Sequence, residues 1–242
     1  MTKEATPVVM DAATVVVARN SNDGIEVLML KKNSKIYFGG MWVFPGGRVD
    51  DADASANDTN AITRFRRAAV REANEEAALR LDAQDLVHFS HWLPPPIRPK
   101  RFSTHFFIAH TSQLTDEVAV DGGEITAHMW TSPAQALARR HLGEIEIVTP
   151  TFVTLDWLRR YQRVEDVIAD IQAPVCYHTH ITPVRDGNIA FYEGDIAYNS
   201  LDPTTPGPRR RVNMLASGWW WEEHDGNGNG PWTAPVGIEV PT

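Results

Sequence analysis

Cysteine is almost absent from this chain of 242 residues, in which Cys176 is the only one. A single cysteine excludes an intrachain disulfide framework, agrees with a reducing compartment, and is by default a small buried hydrophobe. Long apolar runs are also lacking, since none approaches the roughly 18–20 residues that span a bilayer. The N-terminus has neither a basic lead nor a hydrophobic signal core. We therefore expect a cytoplasmic protein with no membrane partner.

Positive charge is in short supply as well. The chain has 23 Lys and Arg against 31 Asp and Glu, a net charge of −8. Because binding a nucleic-acid backbone needs clustered cations, this balance argues against nucleic acid as a partner. Two basic runs remain, Arg98 to Arg101 and Arg209 to Arg211. Either could contact a diphosphate, or both could be ordinary solvated charges. No G-x-S-x-G motif, P-loop or internal repeat is present.

The hydrophobic content of 43% is enough to bury the core of one large domain or of a domain with an extension. Apolar periodicity predicts five strands and three helices in the first 170 residues. The strands are at 14–18, 25–30, 86–91, 104–110 and 125–131, and the helices at 60–80, 132–141 and 150–162, the last with Thr149 as its cap. Such alternation favours an α/β sandwich with a mixed sheet.

The texture of the sequence changes near residue 173. Short β-like runs at 175–184, 189–192 and 211–216 alternate with Pro- and Gly-rich turns. We expect a domain at 1–172 and a β-rich C-terminal extension at 173–242, packed on that domain or at a homodimer interface. The tryptophans Trp219 to Trp221 favour core and interface packing over stacking on a nucleobase. The pair His178 and His180 has the spacing of some zinc sites, but no further ligand follows at a recognisable distance.

The run Arg71-Glu72-Ala73-Asn74-Glu75-Glu76 holds the strongest chemical signal. On a helix, Glu72, Glu75 and Glu76 fall within an arc of roughly 100°, so their oxygens can converge on one hard cation. A solvated acidic face is the ordinary alternative. The preceding Phe44-Pro45-Gly46-Gly47 favours the cation, because a glycine turn lets a backbone carbonyl approach an ion. The pattern indicates a site for Mg²⁺, or for Mn²⁺ in its place.

At these residues the chain resembles the Nudix hydrolases, whose box is written G-x5-E-x7-R-E-U-x-E-E-x-G-U with U a bulky apolar residue. Gly47 opens the box, and Asp53 stands at the position of the first glutamate. Arg71 and the three glutamates match outright, while Ala78 replaces the final glycine. Asp53 and Arg71 are separated by 17 residues where the box has 7, so the box, which runs from Gly47 to Leu79, carries an insertion of ten.

This insertion is similar to that of the coenzyme A diphosphatase branch of the family. Two flanking segments also resemble that branch, namely 27–45 and His91-Trp92-Leu93-Pro94 followed by Lys100-Arg101-Phe102-Ser103. The resemblance implies the Nudix sandwich and metal ligands at Gly46, Glu72, Glu75 and Glu76. It also implies that Arg71 orients the carboxylates and that Arg98, Lys100 and Arg101 bind substrate. The general base stays open among these glutamates and Glu144 or Glu146.

Three functions are consistent with these observations. The first is a Mg-dependent diphosphatase of coenzyme A or acyl-CoA, and the second is a Nudix hydrolase of ADP-ribose or a dinucleotide. The third is a non-catalytic ligand sensor, which the departures at Asp53 and Ala78 leave open. The three glutamates favour an enzyme, because a sensor has little reason to keep mutually repelling carboxylates together.

Overall fold

The computed structural model describes residues 8–35, 38–56, 58–96, 100–111 and 118–227. Twelve strands and four helices alternate along these ranges, with a short 3-10 helix at Asp51–Asp53. The strands are β1 Val8–Ser21, β2 Gly24–Lys32, β3 Trp42–Val43, β4 Gly46–Arg48, β5 Val87–Leu93, β6 Lys100–His110, β7 Ile125–Thr131, β8 Val175–His178, β9 His180–Val184, β10 Gly187–Phe191, β11 Arg209–Leu215 and β12 Gly218–His224. The helices are α1 Ile62–Ala77, α2 Pro133–His141, α3 Thr149–Leu158 and α4 Val164–Asp170.

The main sheet is mixed and has eight strands. Its order is β3-β2-β1-β6-β5-β8, with β4 also paired to β1 and β7 to β2. The central strand β1 runs parallel to β6 and antiparallel to β2 and β4. The predicted α/β class with a mixed sheet is confirmed, as are C-terminal strands beyond it. All five strands predicted in the first part of the chain are present.

Two hydrophobic clusters cover opposite faces of this sheet. On one face, α1 packs its small and apolar side chains against alternate residues of β1 and β2, including Val15, Val17 and Leu28. On the other face, helices α2 to α4 and the second sheet pack against Val16, Val27 and Phe106. The alternation of inward and outward side chains along a strand produces this two-sided core.

The site of interest depends on α1. Its buried side is made of small residues, among them Ala69 and Ala73, which bring the helix axis close to the sheet. The side chain of Asn60, which precedes the N-cap residue Ala61, accepts the backbone N–H of Ile62 at 3.0 Å. The helix ends before Ala78, which adopts the left-handed conformation at φ 57°. The observed helix is therefore shorter at both ends than the predicted helix at 60–80.

Replacing Ala78 by glycine should stabilise the fold by about 0.5–1 kcal/mol, because glycine adopts positive φ without the steric cost that a Cβ brings. Urea unfolding would measure the change. Ala138→Gly is the matched control, since Ala138 lies in the interior of helix α2, where the backbone is right-handed. There the same substitution should destabilise by up to about 1 kcal/mol. A loss of stability in both variants would contradict the argument.

The C-terminal region joins both sheets. The predicted run at 175–184 is interrupted at Thr179, so that β8 extends the main sheet parallel to β5 while β9 starts a second, antiparallel sheet. That sheet has the order β12-β11-β10-β9. Trp219 and Trp221 pack on the main core, where Trp219 meets Phe152 edge-on at 5.7 Å. The division into domains at residue 172 stays a prediction, and so does a homodimer.

Two local expectations are wrong, namely Thr149 as a helix cap and Cys176 as a buried residue. Thr149 is the first residue of α3 rather than its cap, and α4 was not predicted. Cys176 is exposed, because it lies on the edge strand β8. The second basic run lies on β11 and makes ion pairs. Arg209 pairs with Glu222 and Arg210 with Glu223, both on β12, and Arg211 pairs with Asp195 in the segment after β10. The ring of His180 stacks on Tyr198 at 4.2 Å.

Within the described ranges, no helix combines the length and apolar character needed to cross a bilayer. The cytoplasmic location stays a prediction.

Candidate active site

The glycines of the Phe44-Pro45-Gly46-Gly47 turn form β4, where Gly46 and Gly47 pair with Thr14 and Ala13 of β1. A Cβ on Gly46 would lie 2.5 Å from the carbonyl oxygen of Ala13. A Cβ on Gly47 would lie 2.4 Å from the carboxyl carbon of Glu72 on α1. The contact at Gly46 is with backbone and excludes a side chain there, whereas a side chain at Gly47 would displace the Glu72 carboxylate from its place beside the strand.

Glu76 is the buried member of the glutamate run, with only 3% of its surface exposed. Its Oε1 accepts the Lys32 ammonium at 2.9 Å, and its Oε2 accepts the backbone N–H of Gly46 at 2.9 Å. Burial raises the pKa of Glu76 to about 7, although Lys32 and the Gly46 N–H act in the opposite direction. Glu76 and the Gly46 carbonyl were predicted to bind the same cation. In the structure Glu76 instead accepts a hydrogen bond from the Gly46 N–H.

Lys32 and Glu124 extend this network. Lys32 is buried at the end of β2 and also donates to Glu124, an exposed residue just before β7. The two carboxylates raise the pKa of Lys32 despite the opposing effect of its burial. Neither residue was predicted as part of the site. The sequence did hold one signal for Lys32, because it ends a strand that is mostly apolar. A lysine buried in such a position requires an acidic partner.

Arg71 connects the 3-10 helix, β4 and α1. Its Nε and Nη2 donate to the two oxygens of Asp53 at 3.1 and 3.0 Å, and Nη2 also donates to the Arg48 carbonyl at 2.8 Å. Its Nη1 donates to Glu72 and Glu75, at 2.9 Å each. The planar fork of arginine suits this bidentate grip on a carboxylate. The hydrogen bonds that Arg71 donates, chiefly to Asp53, raise the pKa of Arg71 above its ordinary value.

The three glutamates do not point at one spot. Glu72 lies beside Gly47, and burial raises the pKa of its carboxyl. Glu75 turns outward to Arg71, with 57% of its side chain exposed. As they stand, the described residues contain no group of three acidic, histidine or cysteine side chains that could hold a metal ion. A shared cation would need Glu75 to turn away from Arg71.

The glycine turn, the carboxylates and Arg71 occupy the positions of the Nudix box. A family model described as NUDIX domain matches residues 9–152, which is more than half of the chain. The chain belongs to the Nudix family.

Two relatives accompany the family match. A Caenorhabditis elegans protein named as a nudix hydrolase is 25% identical over 205 residues, covering 68% of this chain and 66% of that protein. The chain thus spans just under two thirds of that relative's length. The crystal structure of a NUDIX hydrolase from Alicyclobacillus acidocaldarius superposes with a TM-score of 0.60 at 24% identity, covering 69% of this chain and 98% of that one. This likeness shows the Nudix fold, and the family match supports the expectation of a hydrolase acting on pyrophosphate bonds.

The long stretch inside the Nudix box is tied to α1. Asp53, which stands at the position of the first glutamate, is buried and accepts the backbone N–H of Asp50 at 2.8 Å. Asp58, further along the stretch, pairs with Arg67 of α1, which also donates to the Asp53 carbonyl. The additional residues therefore connect the 3-10 helix to α1, and Asp53 keeps its contact with Arg71.

The predicted substrate contacts lie at one end of the Nudix sheet. Lys100 and Arg101 pair with Val8 and Val9 at the start of β1. The distance along β1 from Val9 to Ala13, the partner of Gly47, is roughly 13 Å at 3.3 Å per residue. Arg101 donates to the Pro94 carbonyl at 2.9 Å. Arg98 lies outside the described residues, and binding by Arg98, Lys100 and Arg101 stays a prediction.

The catalytic base is not decided by the geometry. Glu144 pairs with Arg139 of α2 at 3.1 Å, and the carbonyl of Glu146 accepts the Trp42 N–H at 2.8 Å. Glu124 contacts Lys32 and so is linked to Glu76. It joins Glu144 and Glu146 as a candidate.

Proposed function

We propose that this Nudix domain hydrolyses the diphosphate linkage of a nucleoside-derived small molecule with the help of a bound divalent cation. The observation that carries the proposal is the position of Glu72 and Glu76 against Gly46 and Gly47. Both carboxylates are desolvated and lie beside two residues that have no side chains. Such carboxylates offer oxygen ligands to a hard cation.

The residues fit Mg²⁺, and Mn²⁺ as its substitute, by the chemistry of their donors. Arg71 engages only Oε1 of Glu72 and Oε2 of Glu75, so each carboxylate has a second oxygen. We assign Glu72, Glu75, Glu76 and the Gly46 carbonyl as the residues that would hold the cation. When bound, it would neutralise substrate phosphates and activate water.

The protein's own groups supply positioning. Arg71 fixes Glu72 and Glu75 relative to Asp53, and Lys32 holds Glu76 against the Gly46 amide. Such supporting contacts orient ligands, and their loss typically costs 10–100-fold in metal affinity or activity. The proton of the attacking water would be accepted by a glutamate. The candidates are the three glutamates of the box and, outside it, Glu124, Glu144 and Glu146.

We further propose coenzyme A or acyl-CoA as the substrate, with ADP-ribose or a dinucleotide as the competing class. The long stretch between Asp53 and Arg71 and the Lys100-Arg101 segment support the first choice through their resemblance to the coenzyme A branch. Turnover of coenzyme A, acyl-CoA, ADP-ribose and NADH should be compared with Mg²⁺, Mn²⁺ and no metal. The proposal fails if none is hydrolysed, which would favour the ligand sensor, whereas faster turnover of ADP-ribose would overturn only the choice of substrate.

Neutralising the cations at the start of β6 should discriminate between these substrates. In the variant Lys100→Gln/Arg101→Gln, KM for coenzyme A should rise by roughly tenfold or more per lost charged hydrogen bond, a loss on the order of 1–3 kcal/mol each. KM for ADP-ribose, which lacks the 3′-phosphate, should change less. Arg185→Gln removes an exposed charge from a turn of the second sheet and serves as the control. Equal increases for both substrates would argue for a general diphosphate contact.

A further inference from the structure

Four histidines form a row on the α1 face of the main sheet, on three neighbouring strands. They are His105 on β6, His88 and His91 on β5, and His178 on β8. The rings of His91 and His105 stack at 4.2 Å, and those of His88 and His105 are centred 4.9 Å apart. The ring of His178 meets His91 edge-on at 6.3 Å. Nothing in the proposed hydrolysis uses this row.

Two nitrogens in the row lie close together. Nδ1 of His105 and Nε2 of His88 are 3.0 Å apart. Two imidazole nitrogens bound to one tetrahedral zinc ion, each at 2.0–2.1 Å, would be separated by roughly 3.3 Å. Hydrogen-bonded nitrogens point at one another, whereas ligands of one ion both point at the ion. Metal binding would therefore need the two rings to tilt as well as to separate by a few tenths of an ångström.

We propose that His88 and His105 form a binding site for a transition-metal ion such as Zn²⁺ or Ni²⁺, with water completing the coordination. Imidazole is a preferred ligand of these ions, whereas carboxylate oxygen suits Mg²⁺. The ion takes the place of the proton between the two rings, and His88 then carries its own proton on Nδ1. This releases the contact of 3.2 Å between Nε2 of His88 and the Ser90 carbonyl.

The surroundings allow an ion to reach the pair. His88, His91 and His105 are each only partly buried. The ring of Phe65 on α1 packs against His105 at 4.1 Å and limits its movement on that side. Nε2 of His91 is bound to the Ser103 hydroxyl at 2.7 Å, which holds that ring parallel to His105 rather than aimed at the pair. The site therefore has two protein ligands and not three.

This site is separate from the carboxylates. His105 pairs with Ala13 of β1, whose other neighbour is Gly47 of β4, so the two sites lie on opposite sides of the central strand. Occupation by Zn²⁺ or Ni²⁺ should therefore be independent of the Nudix glutamates, and millimolar Mg²⁺ should not compete with it.

Calorimetry on the untagged full chain, with Zn²⁺ or Ni²⁺ titrated in excess Mg²⁺, tests the proposal. We expect one ion per chain, at least tenfold weaker binding in His88→Asn and in His105→Gln, and unchanged binding in Glu76→Gln. His110→Gln is the control, because His110 lies near Glu165 at the other end of β6. Absence of stoichiometric binding, or binding that survives both substitutions, would overturn the site.

A second measurement covers the case in which either variant fails to fold. In the unaltered protein, NMR should show Zn²⁺ shifting the ring signals of His88 and His105 and leaving those of His110 in place. Shifts confined to other histidines would also overturn the proposal.

Discussion

Glu76→Gln should lower turnover of the preferred diphosphate substrate at least about a hundredfold. The substitution keeps the shape of the side chain but removes its charge, and with it the attraction for a cation and for Lys32. The expected loss is mainly in kcat, because Glu76 is buried against Gly46 and Lys32 and its contacts lie within the protein. We expect Glu72→Gln and Glu75→Gln to lower turnover as well, since each removes one negative charge from the same set.

Folding must be separated from catalysis in this experiment. Glu76→Gln also removes one of the two carboxylates around buried Lys32, so some stability should be lost, while Glu124 remains as partner. Activity should therefore be compared at a temperature where thermal unfolding shows each variant to be folded. Glu26→Gln is the matched control, because Glu26 pairs only with Arg19 on the surface of β2 in the described structure. Near-normal turnover of folded Glu76→Gln and Glu75→Gln would remove the assignment of the site.

Asp195→Ala should destabilise the protein by about 3–5 kcal/mol, the range for removing one partner of a buried ion pair. Asp195 and Arg211 have side chains that are 0% and 3% exposed, and Arg211 donates twice to Asp195 at 2.7 Å. Asp195 also accepts the backbone N–H groups of Arg210 and Ala197, at 2.8 Å each. Without the carboxylate, a guanidinium charge and two amides lose their partner. Urea unfolding monitored by tryptophan fluorescence would measure the loss.

The same pair predicts a dependence on pH. Burial alone would raise the pKa of Asp195, but the hydrogen bonds from Arg211 and the two amides lower it below its ordinary value of 3.8. A depressed carboxyl pKa stabilises the fold fully above the unfolded pKa, and the benefit is lost as pH falls through the folded pKa. The difference between wild type and Asp195→Asn should thus stay constant from pH 8 to about 5 and shrink below about 4. Asp186→Asn, in an exposed turn, should show neither effect.

Sequence patterns were sufficient where the determinants are local. The valines of β1 alternate between two cores, and the 3.6-residue period of α1 brings Ala69 and Ala73 to one side. Both are readable from spacing alone. The positions of Gly47 and Glu72 also followed from local signals, because a glycine turn and a helical carboxylate each have a signature.

Long-range contacts could not be read in this way. The buried pairs of Lys32 with Glu76 and Glu124 join residues 44 and 92 positions apart. The break at Thr179 is equally hidden, because both halves of 175–184 have the composition of one strand. The first half pairs with the edge strand β5 and the second half with β10, so the partner strands decide where the run divides. Tertiary pairing overrides local β preference in such cases.

Thr179, where the chain passes from the first sheet to the second, determines how the molecule unfolds locally. A single residue separates β8, whose Tyr177 stacks on Trp92 at 4.0 Å, from β9, which pairs with β10. The N–H of Thr179 itself bonds to the Leu93 carbonyl at 2.9 Å. A linker of one residue has no slack, so opening of the second sheet pulls directly on the last strand of the first. Hydrogen exchange should therefore show β5, β8 and β9 opening together as one cooperative unit, without separate opening of the second sheet.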